Sequence, residues 1–300
     1  MTVAPGQERA AGLVGGAGTH PVPPRRRRIR VEKDQLLVHA VLTLAAFIAL
    51  APLVWCIFAS FKPFKEVMES QTLLPHIWTL NAYQTVFGLS NIWTGFRNTV
   101  IVSVSVTAVS VLTSTVAGFV FAKYTFWGRD QLFLLLLATL MVPFAVILVP
   151  LYITVGNLGL SNQLGGVIVT GLCSTFGIFL MRQFMGSIPY ELLEAARIDG
   201  ASEWRIFAQM VIPLSASPMA ALAILIFLGV WNDYLWPLVV LSNQDQQTLP
   251  LILNGLQGYY NTRYDYLIAA AILTVIPLMI AYLFGSKYMI RGIAMTGLKF

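Results

Sequence analysis

The sequence has little charge and few of the residues that form chemical centres. Only 11% of its 300 residues are Asp, Glu, Lys or Arg, whereas 57% are hydrophobic. A chain with so little polar surface does not form a soluble globular protein of this size. Its two cysteines and three histidines are scattered, without the spacing of a zinc site or a disulfide framework. The composition therefore predicts a membrane protein that holds no metal.

The sequence also lacks a nucleotide-binding motif. No GxxxxGK[ST] loop, which would cradle phosphates, occurs anywhere, and the hydrophilic segments are too short for a nucleotide domain. Beyond isolated Ser and Asp residues there is no nucleophile or acid–base cluster. We therefore predict that the chain is not an enzyme and carries no cofactor. Any ATP that its function requires would be bound by another chain.

Long apolar runs are present instead. A helix needs about 20 mostly apolar residues to cross a bilayer, and six runs have roughly this length or more. These runs do not alternate with period two, which argues against a barrel. They cover residues 36–61, 98–122, 131–155, 164–184, 216–240 and 267–288. The sequence thus predicts an all-α, multi-pass protein of the cell membrane with six transmembrane helices and a transmembrane domain over 36–288.

The distribution of Lys and Arg predicts the orientation, because short loops rich in these residues stay in the cytoplasm. With the amino terminus inside, only four of the 19 lie outside: Lys62, Lys65, Arg97 and Arg263. Both termini are then cytoplasmic, and the net charge of +6 implies no nucleic-acid partner. Residues 1–35, which include RRRR, are expected to be a disordered basic tail that faces the lipid. Residues 289–300 are expected to form a second cytoplasmic tail.

One polar segment, 187–213, separates two apolar runs on the predicted cytoplasmic side. Four carboxylates and two arginines fall between Glu191 and Arg205. A helix is expected to begin at Pro189, to present one apolar face of Leu192, Ala195 and Ala196, and to end at Gly200. Ser202 is placed to cap a second short helix, which Pro213 stops.

Two interpretations of this loop follow. It could lie on the membrane surface, as amphipathic segments between spans usually do. Its acidic residues would then face an anionic leaflet, so docking against a cytoplasmic protein is favoured. A purely local role for Glu194, pairing with Arg197 or Arg205, is the alternative to contact with a partner.

Prolines and small residues within the predicted spans indicate how these helices bend and pack. Prolines 143 and 150 are expected to break the third span, and Pro237 the fifth. The small residues of 103–118 favour close helix packing, with a partner membrane subunit as one candidate.

A cluster of polar and aromatic side chains could bind a sugar in a translocation path, or could lie at the outer interface where aromatic residues are common. Its members are Trp231, Asn232, Asp233 and Tyr234.

The polar loop also resembles a known motif. The segment EAARIDGASEWRIFAQMVIP, residues 194–213, is similar to the EAA loop of the membrane subunits of binding-protein-dependent ATP-binding-cassette importers. Four further segments resemble the carbohydrate importers of the maltose-transporter type, in the same order: SFKP at 60–63, LNAYQTVF at 80–87, FRNTVIVS at 96–103 and WNDYLWPL at 231–238. The end, IRGIAMTGLKF, is similar too, although Phe300 replaces a final glycine.

The resemblance implies a type I importer permease fold and a set of partners. These are a second permease subunit, two ATPase subunits that bind ATP and Mg, an extracytoplasmic solute-binding protein and a sugar, all in a lipid bilayer. It implies contact between the loop and an ATPase subunit through Glu191, Glu194, Ala195, Ala196, Asp199, Gly200 and Ala201. A second ATPase contact is expected from the tail at Gly297 and Lys299.

Two other functions stay open beside sugar import. The same kind of importer also carries glycerol phosphates. A secondary transporter is the other possibility, but it would need coupling carboxylates at the membrane midplane and usually an inverted repeat. Only Asp233 approaches the first condition, and no repeat is visible.

Overall fold

The computed structural model describes residues 33–256 and 263–296. Most of the basic tail predicted at 1–35 therefore lies outside the described residues, as do Gly297 and Lys299. The chain divides after Leu50 into two units. Within the first unit, the side chains of residues 35–50 are exposed along a helix that begins at Lys33.

Within the described ranges the chain is helical and contains no strand. A π-helical turn, Phe207–Val211, joins two of the helices, and a short 3-10 turn spans Gln244–Gln246. The α-helices in chain order are α1 (Lys33–Ala59), α2 (Phe64–Glu69), α3 (Asn81–Gly88), α4 (Ser90–Lys123), α5 (Arg129–Thr139), α6 (Phe144–Asn157), α7 (Leu164–Thr170), α8 (Thr175–Gly186), α9 (Tyr190–Ile198), α10 (Glu203–Ile206), α11 (Ile212–Leu214), α12 (Ala216–Trp231), α13 (Leu235–Val240), α14 (Leu249–Gly255) and α15 (Tyr264–Thr296).

Four helical stretches in the described part are long and apolar enough to cross a membrane: Gln35–Ala59, Asn91–Lys123, Leu164–Gly186 and Tyr264–Ser286. Two further pairs pass the same test but are bent. Helices α5 and α6 meet at 100°, and the α10–α11 segment meets α12 at 74°. Counting each pair as one span gives six, so the predicted all-α multi-pass fold is confirmed.

The prolines act differently from one another. Pro143 directly precedes α6 with an extended backbone (φ −60°, ψ 137°), at the 100° bend, as predicted. The predicted break at Pro150 is wrong, because this residue lies inside continuous α6. A bilayer supplies no water to replace the remaining backbone hydrogen bonds, so membrane helices tolerate such prolines. The candidate fifth span ends at Trp231, and the non-helical residues 232–234 follow it. The expected interruption at Pro237 is therefore not observed, because this residue sits in the first turn of α13, where its missing N–H is not needed.

Small residues let α4 approach α8 within this chain. A Cβ on Gly118 would lie 2.5 Å from the Met181 Cβ, and one on Gly177 would lie 2.3 Å from the Ser114 Oγ. Neither distance is possible for real atoms, so both positions require glycine. The close packing predicted for 103–118 is therefore used inside the subunit, and α4 becomes the helix against which α8 and α12 pack.

Candidate functional site

The polar loop folds as two short helices, as predicted. Helix α9 begins at Tyr190, one residue later than expected, with Pro189 in the extended conformation of a cap (φ −60°, ψ 139°). Glu191 lies in its first turn, where the helix dipole favours a negative charge. The Ser202 Oγ accepts a hydrogen bond from the Arg205 N–H at 3.4 Å and so caps α10, which also confirms the prediction.

The turn between these helices depends on Gly200. Its φ is +81°, a left-handed conformation that other residues rarely adopt. The Gly200 N–H donates to the Arg197 carbonyl and the Ala201 N–H to the Ala196 carbonyl, each at 3.0 Å. This pair of bonds is the Schellman arrangement, which satisfies carbonyls left open at a helix end. The predicted glycine stop is thus observed, and it fixes the angle between α9 and α10.

The buried face of α9 differs from the prediction. Leu193 is fully buried and packs in one cluster with Ile206, Phe207 and residues of α8 and α12, with Ala196 at its edge. Leu192 and Ala195, expected on the apolar face, are exposed. Leu192 and Leu193 point about 100° apart on a helix. The position of α8 and α12, which the loop sequence alone does not contain, decides which of them is buried.

The opposite face of α9 is exposed and mixes acidic with apolar side chains. Glu191, Glu194, Ala195 and Ile198 follow the i, i+3, i+4, i+7 spacing of one helix face, and all are exposed. Ile198 is 86% exposed. A single exposed apolar side chain is common on protein surfaces, so the combination of Ile198 with the exposed carboxylates of Glu191 and Glu194 is what makes this face available to a partner. We call this surface the α9 face.

Glu194 does not make the local ion pair that was the alternative to partner contact. Arg197 instead binds Glu203, with Nε–Oε1 at 2.7 Å and Nη2–Oε2 at 3.2 Å. Within the described residues, the Glu194 carboxylate has neither a hydrogen bond nor an ion pair. It is therefore free to bind a group outside this chain.

Residues at the carboxyl end of α4 form hydrogen bonds with both ends of the loop. At one end the buried Lys123 Nζ donates to the Ile188 carbonyl and lies 4.2 Å above the Tyr190 ring. The Tyr190 hydroxyl donates back to the Ala122 carbonyl at 2.9 Å. These three contacts join the start of the loop to the end of a membrane span.

At the other end of the loop, the Tyr124 hydroxyl donates to Glu203. The Arg197 guanidinium and this hydroxyl together hold the pKa of Glu203 below its ordinary value. Sequence reasoning missed both Lys123 and Tyr124 as anchors. It used Lys123 only for orientation, although a lysine followed by a tyrosine at the end of a span was the available signal.

The aromatic and polar cluster near residue 231 occupies the break between α12 and α13. Trp231 is buried against Phe96 and Phe227, with ring centroids 5.9 and 5.4 Å apart. The Asn232 Nδ2 donates to the Leu228 carbonyl at 2.8 Å, at the end of α12. The cluster lies where the backbone leaves the helical form between α12 and α13, at the end of the candidate span that closes at Trp231. Its role in translocation stays a prediction.

At the same break, the Asp233 Oδ1 accepts from the Trp236 N–H at 3.5 Å, at the start of α13. Tyr234 is half-buried. In the described ranges, no three His, Cys, Asp or Glu side chains come together in a way that could hold a metal ion.

Bent spans and an exposed helical loop mounted on them define a multi-pass membrane protein of the transport class. Residues 114–294 match the family described as the binding-protein-dependent transport system inner membrane component. This match covers more than half of the chain, so the protein belongs to that family.

The relatives share most of this chain's length. An arabinooligosaccharides transport system permease, AraQ of Halalkalibacterium halodurans, is 39% identical over 258 residues, 85% of this chain and 92% of the relative. The sn-glycerol-3-phosphate transport system permease UgpE of Salmonella typhi is 32% identical over 264 residues, 85% and 94% of the two chains. A crystal structure of a bacterial transporter that imports the acidic polysaccharide alginate contains a chain with a TM-score of 0.78, at 25% identity, covering 87% of this chain and 98% of that one.

Proposed function

We propose that this chain is one of two permease subunits of an ATP-driven sugar importer. In this proposal it forms the translocation path with a second permease subunit and receives cargo from an extracytoplasmic solute-binding protein. The observation that supports it most is the α9 face, because Glu194 and Ile198 are exposed and unused on a loop that the rest of the chain holds rigidly. The family membership supports the same assignment.

The loop would act as the mechanical link to two ATPase subunits, which bind ATP and Mg. Its residues Glu191, Glu194, Ala195, Ala196, Asp199, Gly200 and Ala201 would form or shape the contact. When the ATPase subunits close, the loop would move as a rigid body and tilt the spans attached to it. Rigidity is the physical requirement, and the turn at Gly200 together with the anchors at Lys123 and Tyr124 supplies it.

The orientation belongs to the same proposal. Both termini and the loop would be cytoplasmic, as the Lys and Arg distribution favours. Lys123 in the last turn of α4, Arg129 at the start of α5 and Arg182 in the second half of α8 all lie near the loop, which agrees with this placement. The C-terminal contact at Gly297 and Lys299 lies outside the described residues and stays a prediction.

The cargo we propose is a saccharide, as for the AraQ relative. The half-buried Tyr234 suits stacking on a sugar ring, and the Asn232 amide and Asp233 carboxylate suit bonding to its hydroxyls, whereas Trp231 is buried against other aromatic rings. Glycerol phosphate is the second candidate, favoured by the UgpE relative. A phosphate would need basic groups in the path, which the second permease subunit could provide.

Affinity purification of the tagged chain from its native membranes tests this function. Mass spectrometry should identify an ATPase, a second permease subunit and a solute-binding protein beside it. Titrating saccharides and sn-glycerol 3-phosphate against that binding protein then distinguishes the two cargoes. Recovery of the chain alone or as a homodimer would contradict the importer proposal and favour a secondary transporter.

A further inference from the structure

A polar cavity of about 380 Å³ opens at the foot of the loop, apart from the α9 face. Two arginines on different helices line it: Arg129 from the start of α5 and Arg182 from the second half of α8. Its other lining residues are Phe121, Ala122, Gln183, Gly186 and Tyr190. The function proposed above uses these two arginines only to support the orientation.

The charge in this cavity is unbalanced. One carboxylate, Asp130, serves both guanidinium groups, at 3.0 Å from the Arg129 Nε and 3.2 Å from the Arg182 Nη2. The Asp130 side chain is mostly exposed, whereas both arginine side chains are largely covered. The neighbouring Lys123 ammonium donates to a backbone carbonyl, and the acidic side chain that interacts with it electrostatically is Glu191. The cavity therefore keeps an excess positive charge, which suits a phosphate group.

An apolar groove of about 330 Å³ lies next to the cavity. Phe121 lines both, and the groove is otherwise formed by Leu132, Leu135, Leu136 and Thr139 of α5. Helix α5 is part of a candidate membrane span, so the groove runs from the basic cavity toward the hydrocarbon. Trp127, in the loop just before α5, is 98% exposed. Tryptophan at such a position is typical of the boundary between membrane and water.

We propose that the cavity and groove together bind one anionic glycerophospholipid of the cytoplasmic leaflet. Arg129 and Arg182 bind its phosphate, and an acyl chain lies along the α5 groove. A lipid is chosen over a free phosphate because the apolar groove shares Phe121 with the basic cavity, and a free phosphate would use only the cavity. Basic pockets between helices on this side of a membrane bind anionic headgroups in the same way.

Native mass spectrometry of the intact transporter tests whether the basic cavity binds the lipid phosphate. We expect phosphatidylglycerol to bind more tightly than phosphatidylcholine. Arg129→Gln and Arg182→Gln should each weaken the phosphatidylglycerol complex by about fivefold and leave phosphatidylcholine unchanged. Arg182→Lys, which keeps the charge, should retain most of the binding. Asp130→Asn should strengthen phosphatidylglycerol binding, a gain that structural damage does not produce. Equal binding of both lipids in all these proteins would overturn the proposal.

The apolar half has a matched pair of variants. Leu135 lines the groove and is 66% exposed, while its neighbour Leu134 is 68% exposed and does not line it. Leu135→Asn should weaken both lipids, and Leu134→Asn neither. Displacement of phosphatidylglycerol by millimolar inorganic phosphate would show that the site binds the free anion. Loss of the second permease subunit from Leu135→Asn, with lipid binding intact, would show that the groove is a subunit interface. Either result refutes the lipid site.

Discussion

Replacing Gly200 with alanine tests whether the turn in the loop transmits movement. A Cβ at this position would have no heavy atom within 4 Å, so the substitution adds no clash. The remaining effect is backbone strain, because φ is +81°. A left-handed conformation costs an L-residue roughly 1–2 kcal/mol. That penalty lowers the population of the native turn by about 5- to 30-fold relative to other backbone conformations at this position.

The assay is the ratio of cargo imported to ATP hydrolysed, measured on the intact transporter in proteoliposomes. We expect Gly200→Ala to lower this ratio while membrane insertion is unchanged, and bulkier Gly200→Leu to lower it at least as much. Gly200→Asn should recover part of it, since asparagine tolerates this conformation better. Gly159→Ala is the control, with φ +72° and open space in another loop. Equal ratios for Gly200→Ala and Gly159→Ala would refute the role of the turn.

Three further substitutions test the packing around the loop. Glu203→Gln should destabilise the protein by about 0.2–1 kcal/mol at neutral pH, since its ion pair with Arg197 is partly exposed. Folding lowers the pKa of Glu203. The ion pair therefore stabilises the protein fully at pH values above the ordinary glutamate pKa of about 4.3, and this stabilisation is lost as the pH falls through the lower pKa of the folded protein. Lys123→Met should cost about 1–3 kcal/mol by leaving the Ile188 carbonyl without its donor. Gly118→Ala should cost about 1–3 kcal/mol by forcing α4 and α8 apart. Thermal unfolding measures all three, with a pH series for Glu203→Gln.

Two of these variants, Lys123→Met and Gly118→Ala, have a control substitution in the same chain. Lys65→Met alters an exposed lysine and should leave stability nearly unchanged. Gly229→Ala places a methyl group in open space on α12 and should be neutral or slightly stabilising. A pH-independent difference between Glu203→Gln and wild type would contradict the ion-pair explanation. Equal effects of Gly118→Ala and Gly229→Ala would contradict the close approach of α4 and α8.

The features that sequence predicted correctly in the loop are local ones. A glycine stop and a serine cap act through backbone groups one to four residues away, so Gly200 and Ser202 could be assigned without the fold. The buried face of α9 could not, because the choice of Leu193 over Leu192 depends on where α8 and α12 lie. Likewise, Pro143 and Pro150 have similar neighbours in sequence, yet only Pro143 lies at a bend.

Residues with tertiary partners were the ones that sequence reasoning overlooked. Lys123, Arg129 and Arg182 were used only to assign orientation, since their number near the cytoplasm was informative without their partners. The structure gives each a specific contact: a loop carbonyl for Lys123 and a shared carboxylate for the two arginines. The contacts of Lys123 and Arg182 join residues 65 and 52 positions apart, a separation at which a single sequence carries no pairing signal, whereas Arg129 pairs with its direct neighbour Asp130.

The central claim is that the α9 face contacts an ATPase subunit, and photo-crosslinking tests it most directly. A benzoylphenylalanine in place of Ile198 would project from that face, and one in place of Trp127 would project from a loop at the same end of the spans. In native membranes, we predict that the position-198 variant forms a covalent adduct with an ATPase subunit. The position-127 variant should form no adduct with that subunit. An adduct of the position-198 variant with lipid, and none with an ATPase subunit, would show that the loop lies on the membrane surface and would contradict the account.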